Sequence, residues 1–156
     1  MLGWLDRSPK ASDTIEMAIW YHDCIYDPQQ SDNEAQSAQH CRRCLGDSVI
    51  IEILADCERL IMATDPRLPR AGKLDEDLLV DIDLSILGAS TEDYESYRRA
   101  IRHEYACVPE AEFKAGRGTI LKCFLASDIY LTEAFQALEE QARANLTREL
   151  ALLKIQ

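Results

Sequence analysis

A shortage of residues that form strands and turns is the feature that most constrains this chain. Its 156 residues include 18 alanines and 19 leucines but only 3 valines. The 6 glycines and 5 prolines together make about 7% of the chain, where roughly 12% is usual. Alanine and leucine are strong helix formers, whereas valine favours strands and glycine and proline mark turns. The composition therefore predicts an all-α fold.

The length and the charge limit the domain count and the partners. A chain of 156 residues suits one domain spanning residues 1–156. Lys and Arg number 17 against 28 Asp and Glu, which gives a net charge of −11. That surplus repels phosphate backbones and anionic lipid heads, so neither nucleic acid nor a membrane is the expected partner. To bind an anionic substrate, the protein would need a local positive charge, such as a bound metal ion or a few arginines.

The cysteines and the apolar runs indicate a cytoplasmic protein. No apolar run approaches the roughly 18 residues that span a membrane, and the first residues do not form a secretory leader. No second CxxC accompanies Cys41 and Cys44 to complete a zinc site. We therefore expect reduced structural thiols, with Cys41 and Cys44 buried as small apolar side chains, in a reducing compartment. The six cysteines are Cys24, Cys41, Cys44, Cys57, Cys107 and Cys123.

Apolar residues recur at helical spacing in seven segments. A stripe of Tyr94, Tyr97, Ile101 and Tyr105 in the fifth segment predicts a buried helix face. The predicted helices are 12–25, a second capped by Asp32 and stopped at a left-handed Gly46, 48–64, 74–87, a fifth capped by Ser90 or Thr91 and ending near Pro109, 110–126 and 132–153.

The adjacent pair His22 and Asp23 is the first candidate for chemistry. It follows the apolar stretch AIWY at the end of the first predicted helix. An imidazole and a carboxylate beside Trp20 and Tyr21 are costly to bury without partners. Metal ligation would satisfy both, and a capping aspartate beside a satisfied core histidine is the alternative.

The acidic segment 81–88, DIDLSILG, is the second candidate. Asp81 and Asp83 lie about 200° apart on a helix, so one apolar face can include only one of them. Leu84 and Leu87 flank the Asp83 side, which makes Asp83 the expected inward carboxylate. Since its segment has no cationic residue, a bound ion would compensate an inward carboxylate.

In combination, these motifs resemble the metal-dependent phosphohydrolases of the HD superfamily, and within it a small bacterial family of uncharacterised proteins. The resemblance extends over nearly the whole chain, as far as Glu149 and Leu150. The stretches that carry it are AIWYHD at 18–23, YDP at 26–28, DNE at 32–34, DLSILG at 83–88, GR at 116–117 and ARANL at 142–146.

The resemblance implies an HD-domain-like helical bundle of about six to seven helices that holds a metal ion. The family pattern of ligands is His, His-Asp, Asp. His22 and Asp23 match its central pair and Asp83 its final Asp, with Asp81 as the alternative if the register is one turn off. Imidazole and carboxylates suit Mn²⁺, Fe²⁺, Co²⁺, Ni²⁺ or Zn²⁺ better than Mg²⁺.

The implied activity is hydrolysis of a small phosphate ester or a nucleotide at that ion. Asp23 would act at the reaction centre, and Glu34 or Asp27 would orient the attacking water as a base. Arg102 and Arg117 would hold the phosphate group. Ordinary surface ion pairs are the alternative for these last four residues.

One departure from the family pattern concerns the first histidine. The pattern places it on a helix upstream of the pair, and the 21 residues before His22 contain none. His40 and His103 lie in polar helical contexts that favour the surface. We therefore expect residues 1–4 to match an internal point of the usual protein, with one ligand and one helix missing.

Two consequences follow from a missing helix and ligand. An apolar surface around Ile15, Ile19 and Ile25 would be uncovered and would favour a homodimer. A catalytically silent helical module that acts through oligomerisation or a protein partner is therefore the alternative function.

Overall fold

The computed structural model describes residues 13–70 and 72–154, and within these residues there is no β-strand. The all-α prediction is confirmed. The described residues form seven α-helices: α1 Asp13–Tyr21, α2 Asn33–Leu45, α3 Ile51–Ala63, α4 Leu74–Asp83, α5 Thr91–Glu104, α6 Glu110–Leu125 and α7 Glu139–Lys154. Two 3₁₀-helices, Leu84–Gly88 and Gln136–Leu138, complete the helical structure.

The chain divides into two compact units, Met1–Asp83 and Leu84–Gln156. In the first unit α1 packs against α2, α3 and α4, and α2 packs against α3. The apolar residues that these helices share form one core, because each helix carries its apolar side chains on one face. That core contains Ile15, Ala18, Ile19, Leu54, Leu60, Ile61, Leu78, Leu79 and Ile82.

The second unit has its own core. In it α7 packs against α6 and against the 3₁₀-helix Leu84–Gly88, which also contacts α5. The predicted aromatic stripe of α5 is buried in part, with Tyr94 fully buried and the three other members half-buried. The core residues of this unit are Leu87, Tyr94, Leu121, Ile129, Tyr130, Phe135, Ala142 and Leu146.

Local capping signals placed two helix starts correctly. Ser90 precedes α5 and accepts the backbone N–H of Asp93 at 3.2 Å, as expected for a capping serine. Asp32 precedes α2, but its carboxylate accepts the side chain of Gln36 instead of a backbone N–H. Gly46 ends α2 in the right-handed conformation (φ −56°, ψ −30°), so the predicted left-handed cap is wrong.

The last helix begins later than its periodicity predicts. The prediction starts at residue 132, whereas α7 starts at Glu139. The Glu139 carboxylate accepts the backbone N–H groups of Ile129 and Tyr130 at 3.1–3.2 Å. Because these bonds fold the preceding segment back onto the first turn of α7, that segment is not α-helical, and only Gln136–Leu138 forms a 3₁₀-helix. The fourth helix likewise changes to a 3₁₀-helix after Asp83.

Three surface expectations need correction or completion. Ile15 and Ile19 are 1% and 7% exposed and Ile25 is half-buried, so they do not form the predicted apolar surface; Trp20, at 62%, is the exposed large hydrophobic side chain of α1. None of the six cysteines forms a disulfide; only Cys41 and Cys57 are buried, so the prediction that Cys44 is buried is wrong. Among the described residues no helix has the length and apolarity needed to cross a membrane.

Candidate functional site

His22 lies directly after α1, where its ring is held by the helix. Its backbone N–H donates to Ala18 O, and its Nδ1 lies 2.8 Å from Ile19 O. A carbonyl oxygen can only accept, so Nδ1 carries the proton in this contact. The other ring nitrogen, Nε2, is thereby the atom that can meet a proton or a cation. A backbone carbonyl on the second ring nitrogen is the usual support for a histidine that ligates a metal.

Asp83, the last residue of α4, faces that nitrogen. Its Oδ1 lies 3.5 Å from His22 Nε2, and the two side chains are 34% and 13% exposed. Burial lowers the pKa of His22, but the hydrogen bond and the charge of Asp83, followed by Ile19 O and Asp23, outweigh it and raise the pKa above its ordinary value. The packing of α1 on α4 has thus brought together two residues that lie 61 positions apart in the sequence.

Asp81 has a different role from Asp83. Asp81 is fully buried, and Arg70 Nη2 donates to its Oδ1 at 2.8 Å. Arg70 also donates through Nε to Asp77 Oδ1 at 3.1 Å. The prediction that Asp83 is the inward carboxylate of this segment is wrong: Asp81 is the buried one, and an arginine from the loop before α4, not an ion, compensates its charge, whereas the Asp83 side chain is 34% exposed. Asp83 is the aspartate that meets His22.

Asp23 lies in the exposed turn after His22. The structure brings His22 and Asp83 together, but in residues 13–70 and 72–154 no three His, Cys, Asp or Glu side chains form a group that could hold a metal ion. The imidazole Nε2 and the adjacent carboxylate suit two positions in the coordination of a divalent cation. The prediction that residues 1–4 match an internal point of the usual protein concerns residues outside the described part of the chain.

The two proposed bases, Asp27 and Glu34, differ in the contacts that their side chains make. The Asp27 carboxylate accepts the backbone N–H of Gln29 at 2.9 Å, and Asn33 bonds both to the N–H and to the C=O of Asp27. Asp27 is thus part of the turn that leads into α2. Glu34, in the first turn of α2, lies 3.9 Å from Arg67 Nη2 with its side chain 22% exposed. Glu34 is the base candidate whose carboxylate is the less engaged by backbone groups.

Both proposed phosphate-binding arginines belong to the second unit and are occupied there. Arg102 donates to Glu110 at 3.0 Å and to Tyr105 O at 2.7 Å. Arg117 donates to both carboxylate oxygens of the buried Glu149, at 2.8 and 3.1 Å. Burial lowers the pKa of Arg117 and Glu149 raises it, with a net rise. These contacts favour structural roles for both arginines.

A small cleft in the first unit is lined by charged groups that neutralise each other. It has a volume of about 170 Å³, and Arg59 and Arg70 lie in its wall. Arg59 pairs with Asp75 and Glu76, and Arg70 with Asp77 and Asp81. The cleft therefore offers no uncompensated positive charge to a phosphate.

Two side-chain contacts were not predicted from the sequence. One is the pairing of Arg70 with Asp81, which the position of an arginine just before an acidic helix could have suggested. The other is the contact between His40 and Cys44, at 3.4 Å, whose spacing of four residues places them on one helix face. His103 is exposed as expected, whereas His40 is half-buried.

Comparisons with known proteins found no protein-family model, no curated protein and no solved structure that matches the chain. The resemblance to HD-superfamily phosphohydrolases thus rests on the stretches quoted above.

Proposed function

We propose that this protein is a metal-dependent phosphohydrolase of the HD type that acts on a small phosphate ester or a nucleotide. The observation that carries the proposal is the contact between His22 Nε2 and Asp83 Oδ1. The HD and DLSILG stretches place these two residues in the ligand pattern of that superfamily, and the packing of α1 on α4 supplies the proximity that such a site requires.

In this proposal His22 and Asp83 hold a divalent cation, and Asp23 is the third ligand. Such a cation lowers the pKa of a bound water and polarises a phosphoryl oxygen. Ile19 O orients the ring of His22 by accepting from Nδ1. Glu34 is the candidate base of the two, since its side chain is partly exposed, whereas the Asp27 carboxylate accepts a backbone N–H in the turn before α2.

The test measures the metal content and the activity of the purified full chain. The protein is stripped of metal, loaded with Mn²⁺, Fe²⁺, Co²⁺, Ni²⁺ or Zn²⁺, and analysed by elemental mass spectrometry. Hydrolysis of p-nitrophenyl phosphate and of a panel of nucleotides is then measured with each ion. We expect about one ion per chain and turnover in the wild type, and loss of both in His22→Gln, Asp83→Asn and Asp23→Ala.

Asp47→Asn is the matched control, because Asp47 is an exposed aspartate in the segment between α2 and α3. It should keep the metal and the activity. A wild-type chain that binds no ion, or activity that is equal in the three site variants and in the control, would contradict the proposal.

The second candidate function is a catalytically silent helical module that acts as an oligomer or through a protein partner. It is favoured by the absence of a three-ligand group among the described residues. This alternative predicts a homodimer without bound metal, which sedimentation velocity and elemental analysis would detect together. A metal-loaded chain whose ion is lost in His22→Gln would exclude it.

A further inference from the structure

A half-buried histidine and an exposed cysteine form a pair on the last two turns of α2. The Nε2 atom of His40 lies 3.4 Å from Sγ of Cys44. The two residues are four apart, so they lie on the same face of the helix one turn from each other. The pair lies in the first compact unit and does not include His22, Asp23 or Asp83.

Tyr21, the last residue of α1, completes the surroundings of this pair. Its ring centroid lies 6.2 Å from that of His40. Burial, and then the neighbouring cysteines, raise the pKa of Tyr21. The phenol therefore stays protonated at neutral pH.

We propose that Cys44 is a reactive thiol, activated by His40, that forms mixed disulfides with low-molecular-weight disulfides. The thiolate is the nucleophilic form of cysteine, and an adjacent imidazole that accepts the thiol proton increases its share. Cys44 is exposed, so a small disulfide can reach its sulfur.

The other cysteine of the same helix shows the contrast. Cys41 is buried, with its sulfur 3.5 Å from that of Cys57. Burial raises the pKa of both thiols, which keeps them protonated and unreactive. Exposure and the histidine contact therefore distinguish Cys44 from its helical neighbour.

Because Cys44 lies near the C-terminus of α2, its activation depends on His40. Helix α2 ends at Leu45, one residue after Cys44. The partial negative charge at a helix C-terminus disfavours a thiolate, so the end of α2 does not activate the sulfur. Proton transfer to His40, whose Nε2 lies 3.4 Å from the sulfur, is the stabilising contribution that this site provides.

The reaction balances without a further oxidant. The Cys44 proton passes to His40 Nε2, and the thiolate attacks one sulfur of the disulfide RSSR. The bond between Cys44 and SR forms as the S–S bond of RSSR breaks, and the leaving thiolate takes the proton from His40 to become RSH. The disulfide is reduced to one thiol and one protein mixed disulfide, and Cys44 is oxidised.

The experiment compares cysteines within the same molecule. The reduced full chain is incubated with excess glutathione disulfide at pH 7, free thiols are blocked at intervals, and each cysteine is quantified by peptide mass spectrometry. Cys123 is the internal reference, because it is also exposed and lies on α6 in the other unit. An ordinary thiol is only a few per cent ionised at pH 7, and a thiolate loses nucleophilicity as its pKa falls, so activation should raise the rate by about threefold to about thirtyfold.

We expect Cys44 to react at least about threefold faster than Cys123, and His40→Gln to lower its rate to that of Cys123. His103→Gln, at the exposed histidine of α5, is the matched control and should leave the rate unchanged. Circular dichroism verifies the fold of each variant, and the comparison with Cys123 in the wild type needs no variant. Equal rates for Cys44 and Cys123, or an unchanged Cys44 rate in folded His40→Gln, would overturn the proposal.

Discussion

His22 Nε2 lies 3.5 Å from Asp83 Oδ1, and this contact joins the end of α1 to the end of α4. The His22 side chain is 13% exposed, so the ring is largely withdrawn from water while Asp83 remains at the surface. In the proposed site, Nε2 and Asp83 would face the cation, while Nδ1 is held by Ile19 O. The proposed activity depends on this pair.

Asp81 and Asp83 should respond differently to the same substitution. Asp81→Asn leaves Arg70 with a weakened partner in a buried position, which should lower the free energy of unfolding by about 3 kcal/mol. Asp83→Asn should lower it by less than about 1 kcal/mol, because that side chain is 34% exposed. Urea unfolding followed by circular dichroism measures both. Equal losses for the two variants would show that the assignment of their roles is wrong.

Gly88, the glycine that ends the DLSILG stretch, should not tolerate a side chain. A Cβ at Gly88 would lie 2.7 Å from Leu138 Cβ and 3.0 Å from Leu138 O and from the Tyr130 hydroxyl oxygen. Gly88→Ala should therefore lower the free energy of unfolding by about 1–3 kcal/mol, since packed backbone has to shift. Thermal unfolding of Gly88→Ala and of the wild type measures this difference.

Gly116→Ala is the matched control for Gly88→Ala. Gly116 lies inside α6, and a Cβ there meets no heavy atom within 4 Å. It should raise the free energy of unfolding by about 0.5–1 kcal/mol, because alanine loses less backbone entropy in a helix. Opposite signs for the two substitutions are the expected result, and a neutral Gly88→Ala would refute the close packing.

Glu149 should be the most sensitive polar residue of the second unit. The buried Tyr94 hydroxyl donates to it, and Arg117 donates to both of its oxygens. Glu149→Gln should lower the free energy of unfolding by about 3 kcal/mol, because it removes the charge that pairs with a buried guanidinium. Tyr94→Phe should cost about 1–2 kcal/mol, since Arg117 still satisfies the carboxylate.

Glu140→Gln, at an exposed position of α7, serves as the control for Glu149→Gln. It should change the free energy of unfolding by less than about 0.5 kcal/mol. If urea unfolding gives Glu149→Gln and Glu140→Gln the same midpoint, the buried network does not stabilise this unit.

Asp65 should contribute to stability in a pH-dependent manner. Hydrogen bonds from Arg67 lower the pKa of the buried Asp65 carboxyl, and burial opposes them only in part. A group with a lowered folded-state pKa stabilises the fold above its unfolded pKa, about 3.9 for aspartate, and this stabilisation is lost as the pH falls through the folded-state value. The urea midpoint of Asp65→Asn should therefore lie below that of the wild type at pH 7, and the difference should shrink as the pH falls below the unfolded-state pKa of about 3.9. A constant difference over that range would contradict the ionic role of Asp65.

Local patterns in the sequence predicted the helices and several of their ends. Helical spacing predicted the seven α-helices of residues 13–70 and 72–154, and the capping preference of serine placed the start of α5 at Ser90. These features depend on residues within one or two turns of each other, so a linear pattern contains them. The start of α7 was mispredicted because it depends on the bond from Tyr130 N–H to Glu139, which competes with the helix.

The candidate site shows more clearly which features the sequence determined and which depended on tertiary packing. The sequence by itself determined an all-α fold, and it predicted His22, Asp23 and Asp83 as candidate metal ligands. It did not determine which aspartate of α4 is neutralised within the protein, since the partner of Asp81 is Arg70, from the loop before α4. Only the tertiary structure decided that Asp81 is buried with Arg70 and that Asp83 meets His22. The reason is physical: the free energy of a charge depends on the groups that surround it in three dimensions, and the sequence does not specify those neighbours until the helices have packed.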